Sequence, residues 1–102
     1  MATRGTTART TFDNTQTETT IGDYGSDGDG IVILAFTTVV GVLKIKWLDD
    51  RGGVRACSAL QTSLSANDTE IVNIQFPHPA FRLTFTAGAG TAGVITTEVK
   101  AY

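Results

Sequence analysis

The sequence predicts an all-β fold, either an antiparallel β-sandwich or a jelly-roll-like barrel with a flexible N-terminal arm. Short apolar or alternating runs recur from residue 31 onward, turn-forming residues separate them, and no run of useful length has helical periodicity. The chain has 102 residues, a length typical of one domain. We expect an extended arm over residues 1–20 and a sandwich domain over residues 21–102.

The first twenty residues predict the arm. Nine of them are threonine, and only Met1 and Phe12 are large and apolar. Such a segment buries too little surface to offset the entropy lost on ordering. We expect Arg4, Arg9 and Phe12 to form contacts when the arm docks on a partner, with residues 15–21 able to add a strand. The alternative is a solvated tail followed by an acidic loop.

Residues 31–48 predict the two strands around which the fold is organised. Residues 31–36 are all apolar and β-branched residues follow them, which favours a buried strand. We expect Gly41 to form a tight turn or a bulge. One face of the next strand collects three apolar residues: Leu43, Ile45 and Trp47. The uncharged part of the run is shorter than the roughly 20 residues that a membrane-spanning helix needs, so we expect no membrane partner.

Further strands follow at short intervals, over residues 54–61, 70–76, 80–86 and 94–102. We expect residues 49–53 to connect their flanking strands as a hairpin, and the glycine-rich residues 88–93 to form a second hairpin loop. The apolar residues expected in the core are Phe36, Leu43, Ile45, Trp47, Val72, Ile74, Phe76, Phe81, Leu83, Phe85 and Val99.

Residue types that carry chemistry are few and scattered. The single cysteine, Cys57, allows neither an internal disulfide nor a metal site of its own, and we expect it to be a small buried residue. His78 lies between two prolines and is expected at a solvent-facing corner. The G-x-G-x-x-G spacing within residues 88–93 precedes β-forming residues rather than a helix, so we expect no dinucleotide site.

The acidic residues also lack a catalytic or metal-binding arrangement. Residues 23–30 do not have the ligand spacing of a helix–loop–helix calcium site, which favours a turn-rich loop and leaves an irregular calcium site as the alternative. We therefore expect no enzyme activity, no metal and no cofactor. The net charge of −2 gives no general attraction to nucleic acid. The N-terminus lacks the apolar core of a secretory signal, so we expect the chain to stay in the cytoplasm or in an assembly built there.

Three segments together resemble small β-sandwich virion proteins of tailed bacteriophages. Residues 41–53 are similar to a "G-T-L-x-I" strand that runs into a D-G turn in those proteins. Residues 80–86 and the small-residue loop after them look like the late "v-R-v-x-y-x-N-G" segment, and residues 95–102 resemble the closing strand. The resemblance covers about residues 30–102.

The resemblance implies a structural role outside enzymology. It predicts a decoration or cement protein that binds the outside of a phage capsid, stabilises it, and joins the virion in the host cytoplasm. The expected partners are the major capsid protein and other copies of the chain, as a homotrimer at a capsid threefold axis. The alternatives are a tail, fibre or baseplate component that contacts carbohydrate, with Tyr24 and Tyr102 as aromatic candidates, and a binding module outside viruses.

Overall fold

The computed structural model describes residues 6–13, 18–25, 30–48, 54–75, 80–88 and 92–101, and these residues form eight β-strands and no helix. The strands are β1 (Thr6–Phe12), β2 (Thr19–Gly25), β3 (Gly30–Thr37), β4 (Gly41–Leu48), β5 (Val54–Leu64), β6 (Thr69–Gln75), β7 (Ala80–Ala87) and β8 (Gly93–Ala101). Two four-stranded sheets result, and the prediction of an all-β sandwich is confirmed.

The strand order is that of a jelly roll. The first sheet has the order β1-β8-β3-β6, the second has the order β2-β7-β4-β5, and all neighbouring strands are antiparallel. Within the described residues, β4 and β5 are the one pair of consecutive strands that are also neighbours in a sheet. Every other connection passes from one sheet to the other, which gives the interlocked Greek keys of this architecture.

The two predicted hairpins have different outcomes. Strands β4 and β5 are consecutive antiparallel neighbours, as the first hairpin prediction requires, and residues 49–53 between them lie outside the described part. The second hairpin prediction is wrong, because β7 and β8 belong to different sheets. Gly93 begins a strand and not a helix, as the β-forming residues that follow it predict. Local turn residues indicate where the chain reverses, but they do not indicate which sheet it enters.

Residues 6–12 differ from the predicted arm. They form an edge strand whose register with β8 runs from Thr6 opposite Val99 to Phe12 opposite Gly93. Phe12 is only 8% exposed, and its ring centroid lies 5.1 Å from that of Phe85 in the second sheet. Threonine is β-branched and suits an edge strand with one solvated face, so a strand can form here with a single large apolar anchor. Residues 1–5 and 14–17 lie outside the described part.

The core lies between the two sheets and draws on the alternating faces of both. Seven predicted core residues are buried: Leu43, Ile45, Ile74, Phe81, Leu83, Phe85 and Val99. Trp47 and Val72 are only partly buried, and Phe76 lies outside the described residues. The prediction for Phe36 is wrong, because its side chain is 38% exposed. Strand β3 faces the core with Ile31, Ile33 and Ala35, so period-2 alternation directs Phe36 outward.

Gly41 fills a position without room for a side chain. It is the first residue of β4, and a Cβ atom there would overlap the ring of Phe85 and the carbonyl oxygen of Thr86. The predicted turn or bulge is therefore a close approach between β4 and β7. Just before it, residues 38–40 carry the chain from the first sheet to the second. There Thr38 N–H donates to the Val94 carbonyl at 3.0 Å.

Substitution of Gly41 by alanine is expected to lower the free energy of unfolding by about 1–3 kcal/mol, the usual range for overpacking a core. Chemical denaturation measures the change. Gly88→Ala is the matched control, because its Cβ would lie 3.6 Å from the nearest atom, the Val40 carbonyl oxygen. The control is expected to change stability by less than about 0.5 kcal/mol. Equal losses in the free energy of unfolding would show that Phe85 does not exclude a side chain from position 41.

Candidate functional site

The outer side of the first sheet carries exposed apolar side chains. Strand β3 has apolar residues at both its inner and its outer positions, and β6 adds one more at the sheet edge. Phe36 is 38% exposed and Ile71 is 66% exposed. We define the outer apolar patch as Val32, Leu34, Phe36 and Ile71. Leu34 lies opposite Ile71 in the β3–β6 register, so the patch is continuous across the two strands.

A shallow depression of about 160 Å³ lies beside the patch. Leu34 and Phe36 contribute apolar side chains to its lining, and the remaining outward side chains are short or polar: Thr7, Thr69, Thr96 and Glu98. The depression exists because the threonine side chains are shorter than the leucine and phenylalanine side chains beside them. The depression therefore offers an aromatic surface next to hydroxyl groups and one carboxylate.

Charged residues border the patch on the side of β1 and β8. Arg9 lies opposite Thr96, and Glu98 lies opposite both Thr7 and Leu34. Lys100 Nζ lies 2.9 Å from a carboxylate oxygen of Glu98. The salt bridges among the described residues do not include Arg9, whose side chain is exposed. The outer face of the first sheet thus combines an apolar half with a charged half.

The described part of the outer side of the second sheet is polar, and two of its cations, Lys46 and Arg82, pair within the chain. Lys46 Nζ forms a salt bridge with Glu18, and Arg82 donates to both carboxylate oxygens of Asp23 at 2.7 and 3.1 Å. The hydrogen bond from Lys46 lowers the pKa of the Glu18 carboxyl, and the hydrogen bond from Arg82 lowers the pKa of Asp23. Since these two cations have partners and the described outward side chains of this sheet form no apolar patch, the first sheet is the better candidate for a contact surface.

The structure separates the three residues predicted to contact a partner. Arg4 lies outside the described residues. Arg9 is exposed at the border of the outer apolar patch. Phe12 belongs to the core, so its side chain is not available to a partner in this fold. The correction follows from the β1 pattern, in which Arg9 faces outward while Phe12 faces the second sheet.

The structure describes some of the other candidate residues from the sequence and not others. Tyr24 stacks on Phe81 at 5.5 Å between centroids, and burial raises its pKa, so its ring is not an exposed sugar platform. The structure describes neither the side chain of Cys57 nor residues His78 and Tyr102. Of the acidic loop, residues 23–25 belong to β2, and residues 26–29 are not described.

The described residues contain no cluster of three or more histidine, cysteine, aspartate or glutamate side chains that could hold a metal ion. They also contain no helix whose length and apolar character would let it cross a membrane. Sequence reasoning missed the outer apolar patch. The sequence signal for it is Ile71. Val72 and Ile74 are predicted to face the core, and Ile71 is an apolar residue on the opposite face of the same strand.

The fold and this face define a class: an antiparallel sandwich, with eight strands in the described part of the chain, whose candidate functional surface is an exposed apolar sheet face. Comparison with protein-family models gives no match, and comparison with curated proteins gives none either.

Proposed function

We propose that this chain is a structural protein of a tailed-bacteriophage virion, which binds the outside of the capsid and stabilises it. The observation that carries the proposal is the outer apolar patch, where Phe36 and Ile71 are exposed on the outer face of a sheet. The resemblance of residues 41–53, 80–86 and 95–102 to small virion proteins of tailed phages supplies the biological setting. The jelly-roll strand order is consistent with it, since viral capsid domains use that architecture.

The exposed surface supports a contact function and the fold alone does not, because one fold serves many functions. An exposed apolar group gains free energy when a partner covers it, at about 25 cal/mol per Å². Covering Ile71, which is 66% exposed, contributes on the order of 1–2 kcal/mol. A small domain needs several such contacts to remain bound to a capsid lattice. The proposal therefore includes contacts between neighbouring copies of the chain.

The proposed partners are the major capsid protein and further copies of the chain on the capsid surface, in an assembly completed in the host cytoplasm. The resemblance implies a homotrimer. Attachment is proposed to involve the N-terminal end, because Arg4 precedes β1 and Arg9 is exposed on it. Phe12 is left out of the attachment surface, since it packs against Phe85.

Capsids prepared without this protein provide the test. Purified chain is added over a range of concentrations, and bound copies are counted against the major capsid protein. The proposal expects saturable binding at a fixed ratio, together with raised thermal stability of the capsid. Removal of residues 1–5 is expected to weaken binding. Absence of saturable binding by the intact chain would contradict the function, whereas unchanged binding after the truncation would contradict only the role of the N-terminal end.

One observation favours the tail, fibre or baseplate alternative. The depression on the first sheet places the Phe36 ring next to Glu98 and threonine hydroxyls, and sugar sites combine an aromatic surface with such polar groups. Glycan-array binding that Phe36→Ala abolishes, together with location in the tail fraction, would favour this alternative. An array without binding would leave the depression as part of a protein contact.

A further inference from the structure

Two neighbouring rows of side chains cross the outer face of the first sheet, and each row takes one residue from each strand. The first row, from β1 to β6, is Arg9, Thr96, Phe36 and Thr69. The second row, two residues away along every strand, is Thr7, Glu98, Leu34 and Ile71. Consider a 180° rotation about an axis that crosses the strands midway between the two rows. It exchanges the two rows and places every strand over the same strand of a second molecule.

We propose that the outer apolar patch binds a second copy of this chain, face to face, about a two-fold axis that crosses the strands midway between these rows. This rotation places Leu34 of each copy over Phe36 of the other, and Ile71 over Thr69. Each contact occurs twice, as an isologous interface requires. The exposed apolar side chains of both copies then leave water together. Two sheets that pack face to face in this way are a common solution for apolar sheet surfaces.

The charged half of the face selects this orientation. The same rotation sets Arg9 over Thr7 of the second copy, one strand away from Glu98, and neighbouring strands lie about 4.8 Å apart. An arginine side chain spans that separation. Within its own chain Arg9 has no salt bridge to another described residue, while Glu98 holds Lys100. The second copy supplies a carboxylate to Arg9, and the pairing occurs twice.

A two-fold axis parallel to the strands gives poorer charge complementarity. That rotation would place Glu98 over Leu34 of the second copy and Arg9 over Thr69. The second copy would then cover the Glu98 carboxylate with an apolar side chain and supply no charge to it, so only Lys100 of its own chain would offset the lost water. The order of residues across the first sheet thus favours the axis that crosses the strands.

The size of the face predicts a weak dimer. Four strands about 4.8 Å apart and about seven residues long, at about 3.3 Å per residue, cover roughly 400 Å² on each copy. A standard interface buries about 800 Å² on each partner, so this contact belongs to the weak class. We expect a Kd on the order of 10 µM. Such a contact is populated when the free chain is at a concentration near or above this Kd.

Sedimentation equilibrium of the full chain, over concentrations well below and well above this Kd, tests the inference. The expected result is a reversible monomer–dimer equilibrium. Arg9→Glu and Glu98→Arg are each expected to weaken association by about tenfold or more, and the double variant is expected to recover much of the loss. The single variants separate a direct pairing from a general effect of net charge, because Arg9→Glu changes the net charge from −2 to −4 and Glu98→Arg changes it from −2 to 0. A net-charge effect would move their Kd values in opposite directions, whereas a direct pairing weakens both.

A matched pair of truncations tests the apolar half. Ile71→Ala is expected to raise the Kd several-fold, because this residue lies in the proposed contact. Leu60→Ala removes an exposed aliphatic side chain from an edge strand of the second sheet and is expected to leave the Kd unchanged. Circular dichroism of each variant establishes that the fold is retained.

Three results would overturn the inference: a chain that stays monomeric throughout the range, a trimer, or a dimer that is insensitive to both charge reversals. A trimer requires a head-to-tail contact, which differs from a two-fold one. The dimer and the capsid would cover the same face, so the inference concerns only the free chain in solution, where the dimer would have to separate before the patch contacts a capsid. The inference thus goes beyond the proposed function and is measured without capsids. Either can therefore fail while the other stands.

Discussion

Removal of residues 1–12 is expected to abolish cooperative unfolding of the sandwich, whereas removal of residues 1–5 is expected to leave its unfolding midpoint unchanged. The longer truncation deletes all of β1, exposes the edge of β8, and removes the Phe12 ring from its place 5.1 Å from Phe85. Loss of a buried phenylalanine side chain costs about 3–5 kcal/mol, and small domains have only about 5–15 kcal/mol in total.

Chemical denaturation followed by circular dichroism measures both truncations, with Phe12→Ala as an intermediate variant. The shorter truncation is the matched control, because it ends just before β1 and leaves every described contact in place. If the chain without residues 1–12 unfolds as cooperatively and at the same midpoint as the intact chain, then residues 6–12 behave as the loose arm that composition suggests. That result would remove β1 from the fold.

Phe85→Ala is expected to lower the free energy of unfolding by about 3–5 kcal/mol. Phe85 has no exposed surface, contacts Phe12 from the first sheet, and lies against the backbone at Gly41. The substitution would therefore leave a cavity at the contact between the two sheets. Denaturant titration at low protein concentration measures the loss, and the fitted m-value shows whether two-state unfolding is retained.

Phe36→Ala is the control for the same chemical change at an outward position. Phe36 is 38% exposed, so its truncation in the monomer is expected to cost less than about 1 kcal/mol. The sequence pattern alone places both phenylalanines in the core and predicts similar losses of stability for the two variants. The structure predicts a large loss only for Phe85→Ala. Similar losses for the two variants would contradict the assignment of Phe36 to the outer face.

The strands and their inner faces were largely predictable where apolar and polar residues alternate. In β7, Phe81, Leu83 and Phe85 alternate with more polar residues, and all three face the core as the pattern indicates. Alternation succeeds here because a strand directs successive side chains to opposite sides. It fails in β3, where six consecutive apolar residues give no signal about which side is buried, and Phe36 faces out.

Strand β1 and the sheet order were beyond the sequence pattern for physical reasons. An edge strand with a solvated face needs little apolar surface, so a threonine-rich segment anchored by Phe12 looks like a tail in composition. Sheet order depends on contacts between residues far apart in the chain, such as Arg9 with Thr96. Local turn residues carry no information about those contacts, and this explains the wrong hairpin prediction at residues 88–93.

The candidate surface was predictable only in part. The exposed Arg9 was selected from the charge of the first twelve residues, and it does border the outer apolar patch. The patch itself depends on the outward face of β3 meeting Ile71 of β6, a neighbour that only the register of the sheet reveals. Phe12 was selected as a large apolar residue in a polar segment, and the same property makes it the core anchor of β1.

The measurement that tests the proposed virion role most directly is the copy number of this chain in purified virions. Quantitative mass spectrometry is applied to the separated head and tail fractions of the tailed phage that, under this proposal, encodes the chain. The account predicts that the chain is in the head fraction, at a fixed ratio to the major capsid protein that matches the positions of a surface lattice. A few copies in the tail fraction would favour the fibre or baseplate alternative, and absence from both fractions would contradict a virion role.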